Sequence, residues 1–363
     1  MSSVTWLESL SPWPEEFGLG RMRALLAELG EPQRAYRAIH VVGTNGKSTA
    51  TRRAAAFLLR EGLTVGAYTS PHVTGWSERV QVDGEDADLE QALERVREPA
   101  ERLGATQFEV LTAAALAELA AAGVDVAVVE AGLGGRLDAT NVLGAEVVAL
   151  TNVALDHTDV LGDTREAIAA EKLAVVGPGA TVVLGEPEWE SRAGARGAAR
   201  VVLAADVGRA AAEALLGRPL EGEVDVTLPG RFEQLGDDVF AGAHNPAGVE
   251  WLLARLPRRD YVVVVSILAD KDAAAMLRAL AGAGDMLVAT ASHSARALPA
   301  GELARLAAPH FGVVEAVADP VDAVDRARVL AAGGPVLVTG SLYLLADLIV
   351  RLQHVPWVSS ASA

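Results

Sequence analysis

Cysteine is absent from the 363-residue chain. That removes disulfide staples, thiolate catalysis, Cys-ligated zinc and iron–sulfur clusters, so any metal must rest on oxygen or imidazole ligands. Long apolar runs are also missing. Charges such as Asp125 and Glu130 cut the most hydrophobic stretches short of the roughly 18 residues a membrane span needs. The opening MSSVTWLESLSPWPEEF has no basic stretch followed by an apolar one, so no secretory signal is read and the cytoplasm is the expected compartment. Basic residues are scarce: 31 Lys and Arg against 48 Asp and Glu leave a formal net charge of -17. Nucleic acid and anionic membranes are repelled by such a chain. A small anionic ligand would need a local exception, made of glycine-loop amides, a few placed Lys or Arg residues and a divalent cation.

What the chain does contain is globular. Hydrophobic residues reach 51% and charged residues 22%, which excludes a disordered chain, and the length suggests two or three domains. β-Branched runs alternate with Ala/Leu-rich helical patterns, the rhythm of an α/β fold with mostly parallel sheets. Strands are expected near 39–42, 64–68, 125–130, 146–151 and 180–184, with helices near 47–61, 88–103, 109–122 and 164–175. The rhythm restarts at Val239, with strands near 261–266, 285–290, 313–317 and 335–339. Two βα blocks imply two domains, 1–228 and 229–363. Between them LPGRFEQLGDD (Leu228 to Asp238) reads as an exposed linker, with turn chemistry at Pro229-Gly230 and an acidic tail. No fixed-period repeat points to a solenoid.

The strongest local signal is IHVVGTNGKSTATRRAAAFLLREG, a hydrophobic strand running into Gly43-Thr44-Asn45-Gly46-Lys47-Ser48-Thr49 and then into a helix. Backbone N–H groups at a glycine-rich turn and helix N-terminus cradle phosphate oxygens, and the lysine adds mobile positive charge. The general Walker pattern asks for a glycine where Val41 stands, so the motif is the shorter GTNGK. Either Ser48 or Thr49 supplies the hydroxyl that faces Mg²⁺ or phosphate. A plain turn would need neither the lysine nor the paired hydroxyls, so a nucleoside triphosphate site is expected.

Three further segments put polar residues at strand ends, where ligands bind in open α/β sheets. TSPHVTGWSERVQVDG, residues 69–84, offers Ser70 as a metal-side hydroxyl. VDVAVVEAGLGGRLDATNV, residues 124–142, is a buried strand ended by Glu130, followed by a glycine-rich loop with Arg136 and Asp138. A carboxylate ending a buried strand suits a metal, as a Walker B acid does. LTNVALDHTDVLGDTREAIAAEKLAVV places Asp156 and His157 after another strand, with Glu171 and Lys172 on the next helix. Taken singly, these have bland readings: a cap, a loop salt bridge between Arg136 and Asp138, a solvated Glu171-Lys172 helix face. Their co-occurrence with the phosphate loop in one βα block favours a site.

Together GTNGK, TSPHVTGWSERV, FEVLTAAAL, VVEAGLGGRLDATNV, LDHTDVLGDT with IAAEK, LPGRF, GAHNP, LADKD and VLVTGSLYLL occur in an order that resembles the folylpolyglutamate synthase/dihydrofolate synthase family of the Mur ligase superfamily. The resemblance spans residues 17 to about 345. It implies an N-terminal P-loop Mur-ligase-type ATPase domain with a mostly parallel sheet and a smaller Rossmann-like C-terminal α/β domain. The implied activity is ATP-dependent coupling of L-glutamate to dihydropteroate or a folate, in folate biosynthesis and polyglutamylation. A carboxylate resists nucleophiles because its charge is delocalised. The γ-phosphate of ATP therefore makes an acyl phosphate, the glutamate amine attacks its carbonyl carbon, and ADP and phosphate are released. Gathering anions in this way demands counter-charge and placement.

Carried over by motif, Gly43, Thr44, Asn45, Gly46, Lys47, Ser48 and Thr49 bind the ATP phosphates, with Lys47 toward the β- and γ-phosphates, and Arg231 in LPGR matches an ATP-binding arginine at the hinge. Ser70, Glu130 and His157 match Mg²⁺ positions, and Lys172 matches a lysine that the family carries as a carbamate. Lys47, Glu130, His157 and Lys172 form the implied catalytic set. An unperturbed lysine is only about 0.04% neutral at pH 7, so carbamylation asks for a depressed pKa or strong product stabilisation. For the pterin, the resemblance points to Gly18, Leu19, Gly20 and Arg21, to Thr106, Gln107, Phe108 and Glu109, and to Leu137, Asp138 and Ala139. Phe108 could stack on a flat heterocycle, and Glu109 or Asp138 could accept hydrogen bonds from it; without the family, Phe108 would read equally well as core. His244, Asn245, Lys271, Asp272, Ser292, His293, Arg296 and Ser341 are candidates for glutamate or the interdomain wall. Arg296 is the better carboxylate clamp because guanidinium offers a bidentate fork.

Departures from the family pattern fall on the nucleotide side. Ala241 replaces an acid that typically contacts ATP, with Asp237 or Asp238 as stand-ins; Asp206 is the nearest equivalent of an expected asparagine; residues 185–228 are short. A monomer is expected. Two alternatives share the phosphate loop: a Mur-type ligase acting on a peptidoglycan precursor, and a catalytically silent nucleotide-binding homologue.

Overall fold

The computed structural model describes residues 2–14 and 16–352. The chain forms two compact units, one built from residues up to Pro71 with Trp76–Val226, the other from His72–Gly75 with the residues from Thr227 onward.

Among the described residues the first unit holds eight strands: β1 (Arg37–Val42), β2 (Val65–Tyr68), β3 (Val80–Val82), β4 (Glu85–Asp86), β5 (Val126–Glu130), β6 (Val147–Leu150), β7 (Thr181–Leu184) and β8 (Arg200–Leu203). They lie in the order β4-β3-β2-β5-β1-β6-β7-β8. Strands β2 to β8 along that order are parallel, and β3 and β4 add an antiparallel edge. Helices cover both faces, which is why the central strands read as continuous apolar runs. Ile39 and Val41 pack with Phe57 and Leu58 of the helix Lys47–Arg60 and with Ala211 of the helix Val207–Leu216. Ala38 packs on the other face with Leu93, Leu111 and Leu116, from the helices Leu89–Leu103 and Gln107–Ala121. Strand alternation thus sends His40 to the Ala38 side.

The second unit repeats the plan with β9 (Arg231–Leu235), β10 (Asp238–Ala241), β11 (Val262–Val265), β12 (Met286–Ala289), β13 (Val313–Ala316) and β14 (Val336–Thr339), in the order β13-β12-β11-β14-β10-β9. All neighbours are parallel except β9, which pairs antiparallel with β10. No helix among the described residues is long and apolar enough to cross a membrane.

Two sequence expectations change. Leu228 to Asp238 is not an open linker: Arg231–Leu235 is an edge strand of the second sheet, and its half-exposed, mixed-polarity residues hid the strand pattern. Asp237 and Asp238 are no stand-ins for the missing acid at Ala241. Asp238 accepts from Val336 N (2.8 Å) at the start of β10, and Asp237 pairs with Arg258 (3.2 Å), whereas Ala241 is buried at the strand's far end.

Leu337 of β14 is fully buried in the second unit's core. Leu337→Ala is expected to cost about 2–5 kcal/mol, seen as a lowered urea midpoint with little change in slope.

Candidate active site

The phosphate loop leaves β1 at the middle of the first sheet, between β5 and β6. Register sets what stands beside it: Val41 pairs with Glu130 at the end of β5, and Val42 with Leu150 at the end of β6. Gly46, at φ 79°, is the left-handed residue that starts the helix Lys47–Arg60. Gly43 has φ 150°, and a Cβ there would fall 1.8 Å from Thr151 Oγ1. Glycine is thus required by both conformation and space.

The segment after β6 shapes the loop. Asn152 O and Oδ1 accept from Thr44 N (2.9 Å) and Asn45 N (3.0 Å), and Thr151 Oγ1 donates to Asn45 O (2.7 Å). Sequence reasoning missed Thr151 and Asn152. The available signal was a polar pair directly after an apolar strand, beside the strand that feeds the loop.

Around Glu130 the structure gathers several expected residues. Its carboxylate is 1% exposed and accepts from Ser48 Oγ (3.2 Å) and Ser70 N (3.1 Å), with Lys47 Nζ at 4.0 Å. Donors and a nearby ammonium compensate a carboxylate that has been taken out of water. Lys47 Nζ also donates to Thr44 O (3.3 Å) across its own loop. His157 has φ 50° and starts the short helix Thr158–Leu161; its Nε2 lies 3.9 Å from Asp156 Oδ1.

Lys172 is not on a solvated face. Its side chain is buried and donates from Nζ to Gly43 O (2.7 Å). Burial, reinforced by the positive charge of Lys47, pulls the amine down to about 7, while Asp156 and Asp138 resist. Glu171 turns outward to Arg136 (2.7 Å). Arg136 and Asp138 do not form the salt bridge of the bland reading: Asp138 is buried and accepts from Leu133 N (2.7 Å), Thr140 N (3.0 Å) and Thr140 Oγ1 (2.5 Å).

The other substrate candidates of this unit form a second group. Thr106 and Glu109 make a reciprocal capping box at the start of the helix Gln107–Ala121, and Arg21 Nε donates to Glu109 Oε2 (2.7 Å). Gln107 donates from its amide to Ser11 O (2.9 Å) and from Nε2 to Leu7 O (3.1 Å). Phe108 is half-buried, 6.4 Å from the Tyr68 ring centroid, with Gly132 against its edge. Gly18 and Gly20 are exposed, Leu19 and Leu137 half-buried, and Ala139 buried.

In the second unit Arg231 begins β9. His244 Nδ1 donates to Gly242 O (2.9 Å), and Asn245 caps the helix Pro246–Leu253. Asp272 caps Ala273–Leu280, which accounts for its carboxylate structurally. Arg296 lies 3.6 Å from Asp270 and over the Tyr343 ring, and His293 pairs with Asp347 (3.2 Å). Asp206 caps Val207–Leu216 and binds Arg53 Nε (3.1 Å), so its oxygens already serve the fold.

The donor set fits a magnesium-type cation. Among the described residues no group of three or more His, Asp or Glu side chains forms a cation cage. The buried Glu130 carboxylate beside the Ser48 hydroxyl is an oxygen donor set that leaves positions for water and phosphate oxygens, as Mg²⁺ requires.

A central strand, a short glycine loop and a buried strand-end carboxylate, followed by a second parallel α/β unit, define a Mur-type ATP-dependent ligase. Residues 41–181 match the Mur ligase middle domain and residues 230–342 the Mur ligase glutamate ligase domain. The chain is 33% identical over 409 aligned positions to a dihydrofolate synthase/folylpolyglutamate synthase of Mycobacterium tuberculosis, covering 88% of this chain and 84% of that relative. It also superposes on an Escherichia coli structure in complex with DHPP and ADP, with TM-score 0.88, 29% identity and coverage of 97% and 98% of the two chains. A third match is the Yersinia pestis bifunctional enzyme complexed with AMPPNP and Mn ion, with TM-score 0.85, 29% identity and the same coverages. The chain belongs to the dihydrofolate synthase/folylpolyglutamate synthase family.

Gly43→Ala is expected to weaken nucleotide binding at least about tenfold, because the added methyl strikes Thr151 and the φ disfavours alanine; isothermal titration with ADP reads it.

Proposed function

We propose that the chain is an ATP-dependent amide ligase that adds L-glutamate to dihydropteroate, to a reduced folate, or to both, through an acyl phosphate. The observation that carries this is Glu130, buried beside Lys47, Ser48 and Ser70 at the mouth of the Gly43–Thr49 loop. The relatives support the substrate class, and they argue against the peptidoglycan-precursor alternative.

In this reading the loop amides and Lys47 hold the triphosphate and neutralise charge that grows on the transferred group. Ser70, Glu130 and His157 would hold a divalent cation, which supplies further neutralisation between phosphate and acceptor carboxylate when bound. Arg21, Thr106, Gln107, Phe108, Glu109 and Leu137 to Ala139, with Gly18 to Gly20, receive the pteroate or folate. Because Asp138 and one Glu109 oxygen are engaged with protein donors, recognition falls mainly to Phe108, Arg21 and loop backbone. Arg231 serves the nucleotide; His244 and Arg296 serve the incoming glutamate. With Ala241 apolar and Asp206 committed to Arg53, nucleotide affinity rests chiefly on the phosphate loop. A chain of net charge -17 gives nucleic acid no electrostatic foothold, and a cytoplasmic monomer is the matching state.

Lys172 is the proposed carbamate. A neutral amine adds to CO₂, forming an N–C bond and releasing a proton, and an amine near 7 is neutral in useful amount at physiological pH. Deprotonation rises through that value, so carbamate formation rises with pH across it and falls below it. With ¹³C-bicarbonate, a carbamate resonance should appear in the wild type, grow from pH 6 to 8 and vanish in Lys172→Arg; an unmodified amine at the higher pH removes the assignment.

ADP release should require both glutamate and one of dihydropteroate or tetrahydrofolate, tested separately. Lys47→Ala and Glu130→Ala should each lower kcat by about 10²–10³-fold or more with circular dichroism unchanged. ADP binding without turnover on either acid would instead support the silent homologue.

A further inference from the structure

His40 lies in β1, three residues before the phosphate loop, and takes no part in the chemistry described above. It is buried, and burial pulls its imidazole down to about 4, so the ring is neutral. Strand alternation turns it away from the helix Lys47–Arg60, and Nε2 meets Thr140 Oγ1 at 2.8 Å. Thr140 Oγ1 in turn donates to Asp138 Oδ1 at 2.5 Å. Burial pushes the Asp138 carboxyl up, while its donors Thr140, Leu133 N and Gly132 N hold it down; in the ionised form it takes the one proton of the Thr140 hydroxyl. The imidazole nitrogen facing Thr140 must then carry a proton itself, which fixes His40 as the Nε2–H tautomer. The three groups form a one-way chain of donors ending on a buried carboxylate, in which each bond polarises the next.

That carboxylate is the centre about which residues 132–140 fold, since it also accepts from Leu133 N and Thr140 N. The folded loop touches two groups that matter. A Cβ on Gly132 would stand 2.4 Å from the Phe108 ring edge, and one on Gly135 would stand 2.7 Å from Glu171 O and 2.8 Å from Lys172 O. Arg136 N further donates to Glu171 O (3.0 Å). A shift of this loop would therefore move the aromatic wall offered to the substrate and the backbone that carries Lys172.

We propose that His40 is a positioning residue for the folate-type acid: through Thr140 and Asp138 it locks residues 132–140 against Phe108 and the Lys172 backbone. The proposal rests on the assignment of Phe108 and Leu137 to Ala139 to the substrate. It separates His40 from the nucleotide site, although the two share a strand.

Three full-length variants test it: His40→Leu breaks the chain of donors, His40→Gln keeps an N–H donor, and Thr140→Val removes the middle link at nearly constant volume. His40→Leu and Thr140→Val should raise KM for dihydropteroate or tetrahydrofolate about tenfold or more. KM for ATP should stay within about twofold, and His40→Gln should recover most of the loss. Hydrogen exchange at the Leu133 and Thr140 amides should speed up in His40→Leu and slow again in His40→Gln. Nucleotide titration confirms a folded phosphate site; if His40→Leu does not fold, Thr140→Val is read alone. Equal rises in both KM values, no recovery in His40→Gln, or unchanged exchange in His40→Leu and Thr140→Val would overturn the proposal. A wild type inactive on every pteroate and folate would sink the substrate assignment instead, while amide exchange would still decide whether His40 locks the loop.

Discussion

Everything in the first unit is arranged around a buried negative charge placed next to a loop that exists to bind negative charge. Glu130 ends β5 at 1% exposure, and its neighbour across the sheet is the strand that launches the phosphate loop. Removing a carboxylate from water costs several kcal/mol unless donors and opposite charge compensate. The compensation comes from Ser48, Ser70 N and Lys47. Lys47 therefore belongs to two electrostatic balances, one with Glu130 and one with the triphosphate, and a cation beside Glu130 would reconcile them. A surface as acidic as this one can take an anionic substrate only where such a local reversal of charge has been built.

Topology makes the reversal possible. Parallel strands deliver their C-terminal ends to one edge, so β1, β5 and β6 bring the loop, Glu130 and the Thr151-Asn152 pair together from distant parts of the chain. None of these residues needs a long side chain to reach the others. The same edge carries Lys172, whose amine reaches Gly43 O from the helix Arg165–Lys172. Backbone carbonyls at Gly43 and Asn45 are thus held by Lys172 and Thr151.

Central strands were legible in the sequence because burial on both faces favours apolar, mostly β-branched runs: VAVVE and the four valines of β11 are buried throughout. Some short or half-exposed strands were not, although β13, half-exposed as well, was. Strand β4 has only the exposed pair Glu85–Asp86, and β8 and β9 mix half-buried, charged and exposed positions, so no period stands out. At the site, glycines, Lys47 and Glu130 announced themselves through residue type and position. The roles of Asp138, Glu109 and Asp206 did not, because a carboxylate that binds a ligand and one that caps a helix or pins a loop look alike in a sequence. Only their donors separate them: Leu133 N and Thr140 for Asp138, Thr106 and Arg21 for Glu109, Arg53 for Asp206.

Lys172 shows how far that ambiguity extends. In the sequence it is half of a Glu-Lys pair on a helix, which reads as a solvated face. The fold splits the pair, sending Glu171 out to Arg136 and Lys172 into the protein. Once inside, the ammonium is disfavoured by burial and by Lys47, while Asp156 and Asp138 defend its charge. Asp138 is also the carboxylate that residues 132–140 wrap around, so the electrostatics of the buried amine and the shape of the substrate loop depend on one group. The charge on Asp138 is therefore felt by the buried amine as well as by the loop that wraps around it.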